Sequence, residues 1–275
     1  MGAGDDRTWP EGTLLDRLAP ALVESLVALS RPWSFRRNQM LVAQGDDERH
    51  ALLVVGGVVK VSAVDEQGGD AVLALRRRGE MVGELAAITA ERRNATVVAV
   101  APVHTRVLAG SVLSAFLIEH PELAREIIRM QAHRLQWANH RRVEFANLPA
   151  LERLARTLLY LADIFAEGGT GNQIALSQGE LASLVGVRLA TAEGVLRVLE
   201  DRGTIRRRYR AIDVLDRAGL ADIARRTSEP LIPRDGGDAT AAPSAGERHG
   251  HVLPAEGLPR RRHPGLLAPQ RTVAR

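Results

Sequence analysis

The stretch SQGELASLVGVRLATAEGVLRVLEDRGTIRRRYRAIDVL, residues 177–215, decides the fold of the C-terminal half of this chain. Ser177 stands three residues before Glu180, and this capping-box spacing predicts the start of a short helix. Gly186 supplies a tight turn, and a second helix is predicted over residues 188–202. Two helices joined in this way form the helix-turn-helix pattern, whose second helix enters the major groove of DNA.

A two-stranded hairpin with an arginine-rich tip is predicted after the second helix. Its strands are residues 204–205 and 211–215, and Tyr209 lies in the tip between them. The tip also carries Arg206, Arg207, Arg208 and Arg210. An arginine cluster is costly by self-repulsion unless it meets an anion, which favours contact with the phosphates of DNA. An ordinary pair of helices with a solvated arginine turn is the alternative.

The middle of the chain is predicted to be helical. A long helix is expected over residues 121–147, followed by a strongly amphipathic helix over residues 150–166. The long helix carries a narrow apolar seam at Ala124, Ile128, Gln131, Leu135 and Ala138. About 25 residues of helix extend ~38 Å, which is too long for a helix that only covers a small domain. The seam therefore predicts a homodimer.

The N-terminal part is predicted to begin with short helices and to continue as a β-roll. Residues 13–29 show helical periodicity that Pro20 interrupts. Residues 33–109 alternate short Val- and Leu-rich runs with glycine-bearing turns, such as a hairpin loop at residues 65–70. The predicted fold class is therefore α+β, with an antiparallel β-roll, a long dimerisation helix and a C-terminal winged helix-turn-helix.

Composition excludes several classes of function. The 275 residues include no cysteine, which excludes disulfides, thiolate zinc sites and cysteine-bound iron–sulfur clusters. No signal peptide and no apolar run of ~20 residues is visible, so a cytoplasmic protein without a membrane partner is expected. The net charge of +4 permits an anionic partner without requiring one. No catalytic constellation is recognisable, and no enzyme activity is expected.

The order of roll, long helix and winged helix-turn-helix resembles the CRP/FNR (catabolite activator/fumarate-nitrate regulator) family of bacterial transcription regulators. Leu176–Leu215 is similar to the family's DNA-binding frame without a gap. The segments QGD at 44–46, Gly57, GEMVGEL at 79–85 and RNAT at 93–96 resemble its cyclic-nucleotide-binding roll. The implied parts are a helical segment (1–30), the roll (31–120), the dimerisation helix (121–147), the DNA-binding domain (148–228) and a disordered basic tail (229–275).

The resemblance implies an effector site for a cyclic nucleotide, cAMP or cGMP. Its implied residues are Gly83, Glu84, Leu85, Arg93, Asn94 and Ala95 of the roll and Asn139 of the long helix. In the family, the carboxylate accepts the ribose hydroxyl and the arginine neutralises the cyclic phosphate. Ala138 and Asn139 occupy the positions of a Thr-Ser pair that reaches adenine in cAMP-responsive members.

Several alternatives to a cyclic nucleotide remain open. The effector could be unknown or absent, with Glu84 and Arg93 forming a structural ion pair. His50 and His104 lie in the predicted roll and make haem conceivable, although single histidines are more often ordinary surface or core residues. The spacing of His133 and His140 by one heptad could bring them to face a second copy, but no third ligand is evident and no metal site is predicted.

The resemblance also implies DNA contacts from the winged helix-turn-helix. The implied residues are Ser177, Arg188, Thr191, Glu193, Arg197, Arg206, Arg207, Arg208 and Arg210. The family's second helix commonly begins Ser-Arg-Glu-Thr with an arginine a turn later, whereas this chain has Arg188, Leu189, Ala190 and Thr191 and then Gly194. The target sequence therefore does not transfer from the family. Double-stranded DNA, a second copy and RNA polymerase are the implied partners, and a ligand-binding or protein-interaction module with a degenerate DNA-reading helix is the alternative.

Overall fold

An antiparallel β-roll builds the N-terminal half of the computed structural model, which describes residues 9–168 and 171–225. Two short helices precede it, as predicted around Pro20: α1 (Leu14–Arg17) and α2 (Pro20–Ala28). The roll contains β1 (Arg31–Phe35), β2 (Met40–Val42), β3 (His50–Gly56), β4 (Val58–Val64), β5 (Asp70–Arg77), β6 (Met81–Val82), α3 (Glu84–Thr89), β7 (Thr96–Ala99) and β8 (Val103–Ala109). Its two four-stranded sheets have the orders β1-β8-β3-β6 and β2-β7-β4-β5. Alternate residues of both sheets point inward and form the core of the roll.

Two helices connect the roll to the C-terminal half, α4 (Gly110–Glu119) and the long α5 (Pro121–Asn147). Leu123 and Ile127 of α5 are buried against the core beneath α1, α2 and α4. The neighbouring seam residues Ile128 and Leu135 are 68% and 63% exposed. Among the described residues, nothing covers these two apolar side chains, whereas Gln131 of the predicted seam bonds to Glu84 of the roll.

The C-terminal half is a winged helix-turn-helix. It consists of α6 (Ala150–Glu167), β9 (Gln173–Ile174), α7 (Gln178–Val185), α8 (Leu189–Asp201), β10 (Ile205–Arg208), β11 (Ala211–Val214) and α9 (Arg217–Arg225). The capping box is confirmed, because the Glu180 amide donates to Ser177 Oγ and the Ser177 amide donates to Glu180 Oε2. Gly186 ends α7 with a φ of +68°, a backbone conformation that glycine adopts without strain.

The wing differs from its prediction in one respect. β10 extends to Arg208, so the predicted arginine-rich tip shrinks to the two residues Tyr209 and Arg210. Arg208 pairs directly with Ala211 across the hairpin. The composition of residues 206–208 resembles that of a loop. Pairing with β11 and the ion pairs of Arg207 and Arg208 nevertheless keep these residues in β10.

The roll and the winged domain share one hydrophobic cluster. Val58, Val72 and Leu75 of the roll lie in the same buried cluster as Leu181 and Leu184 of α7. All the described residues belong to one compact unit of the chain. The predicted tail over residues 229–275 lies outside the described residues. None of the helices described is long and apolar enough to cross a bilayer.

Candidate effector cavity and nucleic-acid interface

A cavity of about 220 Å³ lies between the β4–β5 hairpin, the β6–α3 turn and α5. Six of the seven predicted effector residues line it: Gly83, Glu84, Leu85, Arg93, Asn94 and Ala95. Asn139 does not line the cavity, whereas the preceding Ala138 does. Asn139 is exposed on α5, next to the cavity-lining Ala138. The cavity is also lined by Gln131, Arg134 and Trp137 of α5, which sequence reasoning did not assign to the site.

The Glu84 carboxylate is buried at one end of this cavity and is held from α5. Oε1 accepts hydrogen bonds from Gln131 and from Arg134, the latter at 2.6 Å. Arg134 also donates to the Met81 carbonyl at 2.6 Å, which ties α5 to the turn that carries Glu84. The other carboxylate oxygen, Oε2, is buried without a hydrogen-bond partner. A ligand hydroxyl that donated to Oε2 would therefore complete the hydrogen bonding of this group.

The Arg93 guanidinium is buried close to the same turn. It donates to the carbonyls of Gly83 and His50, both at 2.7 Å, and its Nε has no partner. Burial lowers the pKa of Arg93, against the opposing effect of Glu48, Asp46 and Glu84, but an arginine remains charged at neutral pH. The cavity therefore contains a fixed positive charge and a fixed carboxylate that are bound to different partners.

The local backbone explains how these two groups come together. Gly83 precedes α3 with a φ of +76°, and a Cβ built there would lie 2.6 Å from Arg93 Nη1. Only glycine leaves room for the guanidinium to reach the Gly83 carbonyl. No direct Glu84–Arg93 ion pair is formed between these described side chains, because each has the other partners given above. Glu84 instead forms its ion pair with Arg134 of α5.

The histidines in the roll have protein neighbours. His50 Nδ1 lies 3.6 Å from a Glu48 carboxylate oxygen, and His104 Nδ1 lies 2.9 Å from Ser34 Oγ. Burial lowers the pKa of His50, and the charge of Arg93 lowers it further. No group of three or more potential metal ligands occurs among the residues that the structure describes.

Helix α8 presents the predicted DNA-reading residues on an open face. Ala192, Leu196 and Leu199 are buried against the rest of the winged domain. The exposed residues on the other side are Arg188, Leu189, Ala190, Thr191, Glu193, Gly194, Arg197 and Val198. No described part of the roll covers this side of α8, although the neighbouring helix α7 packs on the roll. Ser177 is engaged in the capping box, so its hydroxyl already bonds within its own chain.

The wing arginines fall into two groups. Arg207 Nε donates to Glu200 at 2.6 Å, and Arg208 forms an ion pair with Asp213. Two of the four wing arginines therefore already meet a carboxylate within the chain. Arg206 and Arg210 have no ion-pair partner among the described residues, and Tyr209 between them is 93% exposed.

The carboxylates that pair with the wing arginines have shifted pKa values. The Arg207 amide and side chain both donate to Glu200, and these hydrogen bonds lower the pKa of Glu200. The hydrogen bond from Arg208 likewise lowers the pKa of Asp213. Both groups are therefore ionised at neutral pH, and Arg206 and Arg210 are the wing arginines without an ion-pair partner among the described residues.

Comparison with known protein families matches both halves of the chain. The model for the cyclic nucleotide-binding domain matches residues 32–120, and the model for the Crp-like helix-turn-helix domain matches residues 152–223. The "CRP-like cAMP-activated global transcriptional regulator" of Mycobacterium tuberculosis is 26% identical over 211 residues, covering 75% of this chain and 93% of that protein. The "Cyclic AMP receptor protein" of Thermus thermophilus is 27% identical over 211 residues, covering 77% and 96%.

Solved structures share the fold. A CRP/FNR family transcriptional regulator from Thermus thermophilus superimposes with a TM-score of 0.59 at 26% identity, covering 70% of this chain and 98% of that one. The c-di-GMP-responsive global regulator CLP of Xanthomonas campestris superimposes with a TM-score of 0.61 at 22% identity, covering 71% and 99%. At that identity the second likeness concerns the fold alone.

Proposed function

We propose that this chain, which belongs to the CRP/FNR family of transcription regulators, acts as a homodimer whose binding to DNA is controlled by a cyclic nucleotide. The two matching family models and the relatives named above make it a DNA-binding transcription regulator of the CRP type. Those relatives are regulators and not enzymes, in agreement with the expectation from the sequence. The effector, the dimer and the further partners are the parts proposed here.

The single observation that carries the effector proposal is a set of three unsatisfied polar atoms at one cavity, Glu84 Oε2, Arg93 Nε and Arg134 Nε. Buried polar atoms are rarely left without a partner in native proteins. A ribose hydroxyl can donate to the free carboxylate oxygen, and a cyclic phosphate can interact with Arg93. The relatives from Mycobacterium tuberculosis and Thermus thermophilus carry names that refer to cyclic AMP, which supports the same class of effector here.

The size of the cavity favours a mononucleotide. Its volume of about 220 Å³ is below the ~300–1,000 Å³ typical of ligand pockets. A cyclic dinucleotide carries two bases and two phosphates, which exceed the space that this volume provides. We therefore expect cAMP or cGMP to bind and a cyclic dinucleotide not to bind at this cavity.

The dimer proposal rests on the uncovered stripe of α5. Ile128 is 68% exposed, and it borders an apolar groove that Leu85, Ile88 and Leu117 also line. A second copy of α5 would remove this stripe from water in a coiled-coil arrangement. The two α8 helices of the dimer would then enter successive major grooves about 34 Å apart on a roughly palindromic site.

The mechanism follows from the position of the effector cavity. Glu84 belongs to the roll, while Gln131 and Arg134 belong to the dimerisation helix, so the cavity spans both elements. A nucleotide that binds Glu84 changes the contacts that hold α5. It activates DNA binding if it binds the DNA-competent form more tightly than the other form. We further propose a cytoplasmic location and a contact with RNA polymerase, since a bacterial transcription regulator acts where DNA is transcribed.

Calorimetry with the full chain tests the effector proposal. We expect saturable heat with cAMP or cGMP and none with cyclic di-GMP. Arg93→Ala should weaken nucleotide binding at least about tenfold, because a charge-assisted contact contributes roughly 1.5–3 kcal/mol. Arg92→Ala is the matched control, since that neighbouring side chain is exposed and does not line the cavity. Equal weakening by both variants, or no heat with either mononucleotide, would contradict the assignment.

A second candidate function is a ligand-binding or protein-interaction module with a degenerate reading helix. The observation that favours it is the exposed face of α8, where Leu189 is 47% exposed and Ala190 and Gly194 supply no polar side chain. Gel shifts on promoter fragments distinguish the two candidates. A complex that resists nonspecific competitor at moderate salt supports the regulator, and its absence on every fragment supports the module.

A further inference from the structure

Trp137 is the aromatic side chain of the effector cavity. It lies on α5 one turn beyond Arg134, which bonds to Glu84. No other described Trp, Tyr or Phe lines this cavity. The part of the wall that comes from the β4–β5 hairpin contains the apolar side chains of Val61, Leu73 and Ala74. The lining of the cavity therefore combines charged side chains, Glu84 and Arg93 among them, with apolar ones that include Trp137.

Neighbours hold the indole ring in place. Its centroid lies 5.8 Å from that of Tyr160, which belongs to α6 of the winged domain. The Arg141 guanidinium lies over the ring at 4.7 Å and also over the Phe145 ring at 5.1 Å. The ring is thus packed before any ligand binds, and a preordered aromatic surface loses little entropy on binding.

The wall of the cavity around Trp137 offers few polar groups that could form hydrogen bonds with the edge of a base. Ala138, which stands next to Trp137 in the cavity wall, offers no hydrogen bond. Gln131 and Arg134 already bond to Glu84, and Arg76 donates to the Leu75 carbonyl. A ligand base would thus meet an aromatic ring and aliphatic side chains, and Arg134 Nε remains in this wall as a donor without a partner.

We propose that Trp137 binds the base of the effector by its face, so that the cavity selects purine over pyrimidine cyclic nucleotides and discriminates weakly between adenine and guanine. This inference rests on the proposed cyclic-nucleotide function. Stacking strength depends on the area of the ring system, whereas adenine and guanine differ at their edges. The specificity of this regulator is therefore set by base size.

Ligand titrations of the full chain with cAMP, cGMP and cCMP test the proposal. Wild-type protein should bind cAMP and cGMP within about tenfold of each other and should bind cCMP more weakly. Trp137→Leu should weaken purine binding about 5- to 150-fold, the range expected for loss of one stacked base. It should affect cCMP less, so that the preference for purines falls. Trp137→Phe should lie between the two.

Intrinsic fluorescence supplies an independent readout. The chain has three tryptophans, and a Trp9→Phe/Trp33→Phe variant keeps Trp137 alone. Saturating cAMP should quench its emission if the base stacks on the ring. Trp33→Leu is the matched control for Trp137→Leu, because Trp33 is 59% exposed on β1 and does not line the cavity.

The outcomes separate this inference from the proposed function. Equal losses of cAMP and cCMP affinity in Trp137→Leu, together with unchanged emission of the variant that keeps Trp137 alone when cAMP saturates it, would mean that the ring only supports the fold. A preference of more than about a hundredfold between cAMP and cGMP would mean that the base edge is read. Either result overturns the inference and leaves the effector proposal intact. Failure of wild-type protein to bind any of the three nucleotides would overturn both.

Discussion

Replacing Lys60 with methionine should loosen the winged domain from the roll. Lys60 Nζ donates to Glu180 Oε1, and the two side chains are 14% and 19% exposed. Exposed ion pairs contribute about 0.2–1 kcal/mol, and breaking a fully buried pair costs about 3–5 kcal/mol. This pair lies between those limits, so we expect a loss of roughly 1–2 kcal/mol in the free energy of unfolding. Methionine keeps much of the aliphatic stem, which limits the effect to the lost cation.

The loss should depend on pH in a defined direction. Burial raises the pKa of Glu180, but the hydrogen bonds from Lys60 and Ser177 outweigh it and leave the pKa below its usual value. A lowered folded-state pKa gives stability that is present above the unfolded-state pKa near 4.3 and is lost as the pH falls through the folded-state pKa. The difference between wild type and Lys60→Met should therefore be largest at pH 7 and should shrink below about pH 4.

Urea denaturation of the full chain at pH 7 and below about pH 4 measures this difference in the free energy of unfolding. Lys60→Arg is the matched control, because it keeps a cation, and it should stay nearer to wild type than methionine does. A Lys60→Met protein with an unchanged unfolding midpoint and slope at pH 7 would refute the reasoning. A loss of the same size in both variants would show that packing, not charge, is responsible.

Chemical labelling can follow the same contact directly. Lys60 is the only lysine in the chain, so an amine reagent modifies a side chain at one position. Ser183 Oγ accepts a hydrogen bond at 2.9 Å from the Val72 amide, a second link between α7 and the roll. Ser183→Ala should therefore speed the labelling of Lys60 several-fold by increasing the open population. An unchanged labelling rate would mean that this hydrogen bond does not hold the contact closed.

The remaining predictions concern the turn, the wing and the dimer. Gly186→Ala should lower the free energy of unfolding by about 2 kcal/mol, because its φ is +68° and the new Cβ would lie 2.8 Å from the Phe145 ring. Gly194→Ala meets nothing within 4 Å and should raise it by about 0.5–1 kcal/mol, as denaturation will measure. Arg206→Ala should reduce the salt dependence of DNA binding by about one unit of slope, measured by titration at several salt concentrations. Ile128→Glu should weaken dimerisation at least about a hundredfold in sedimentation equilibrium, since each copy loses roughly 1.5–3 kcal/mol of apolar burial.

Local sequence patterns predicted the helix-turn-helix well. The capping box involves residues three apart, so its hydrogen bonds form within one turn of chain. The turn at Gly186 depends on the backbone freedom of one residue. The alternation of short strands with turns also predicted the class of the roll, although it did not predict the pairing order of the strands.

The wing shows where local composition misleads. Its arginines resemble an uncompensated cluster in the sequence, but Glu200 and Asp213 neutralise two of them. Asp213 comes opposite Arg206 only through the register of the β10–β11 ladder, and it pairs with Arg208 across the hairpin. The separation into paired and available arginines therefore requires the strand register, which charge patterning does not reveal.

Short-range periodicity and turn chemistry were enough to assign the parts of this protein, because hydrogen bonds and burial patterns within an element depend on residues a few positions apart. The contacts that make the effector cavity and that join the domains depend on packing. Glu84 meets Arg134 across 50 residues, and Lys60 meets Glu180 across 120. Such partners are chosen by the three-dimensional arrangement of helices and sheets, and no periodicity in the chain relates their positions.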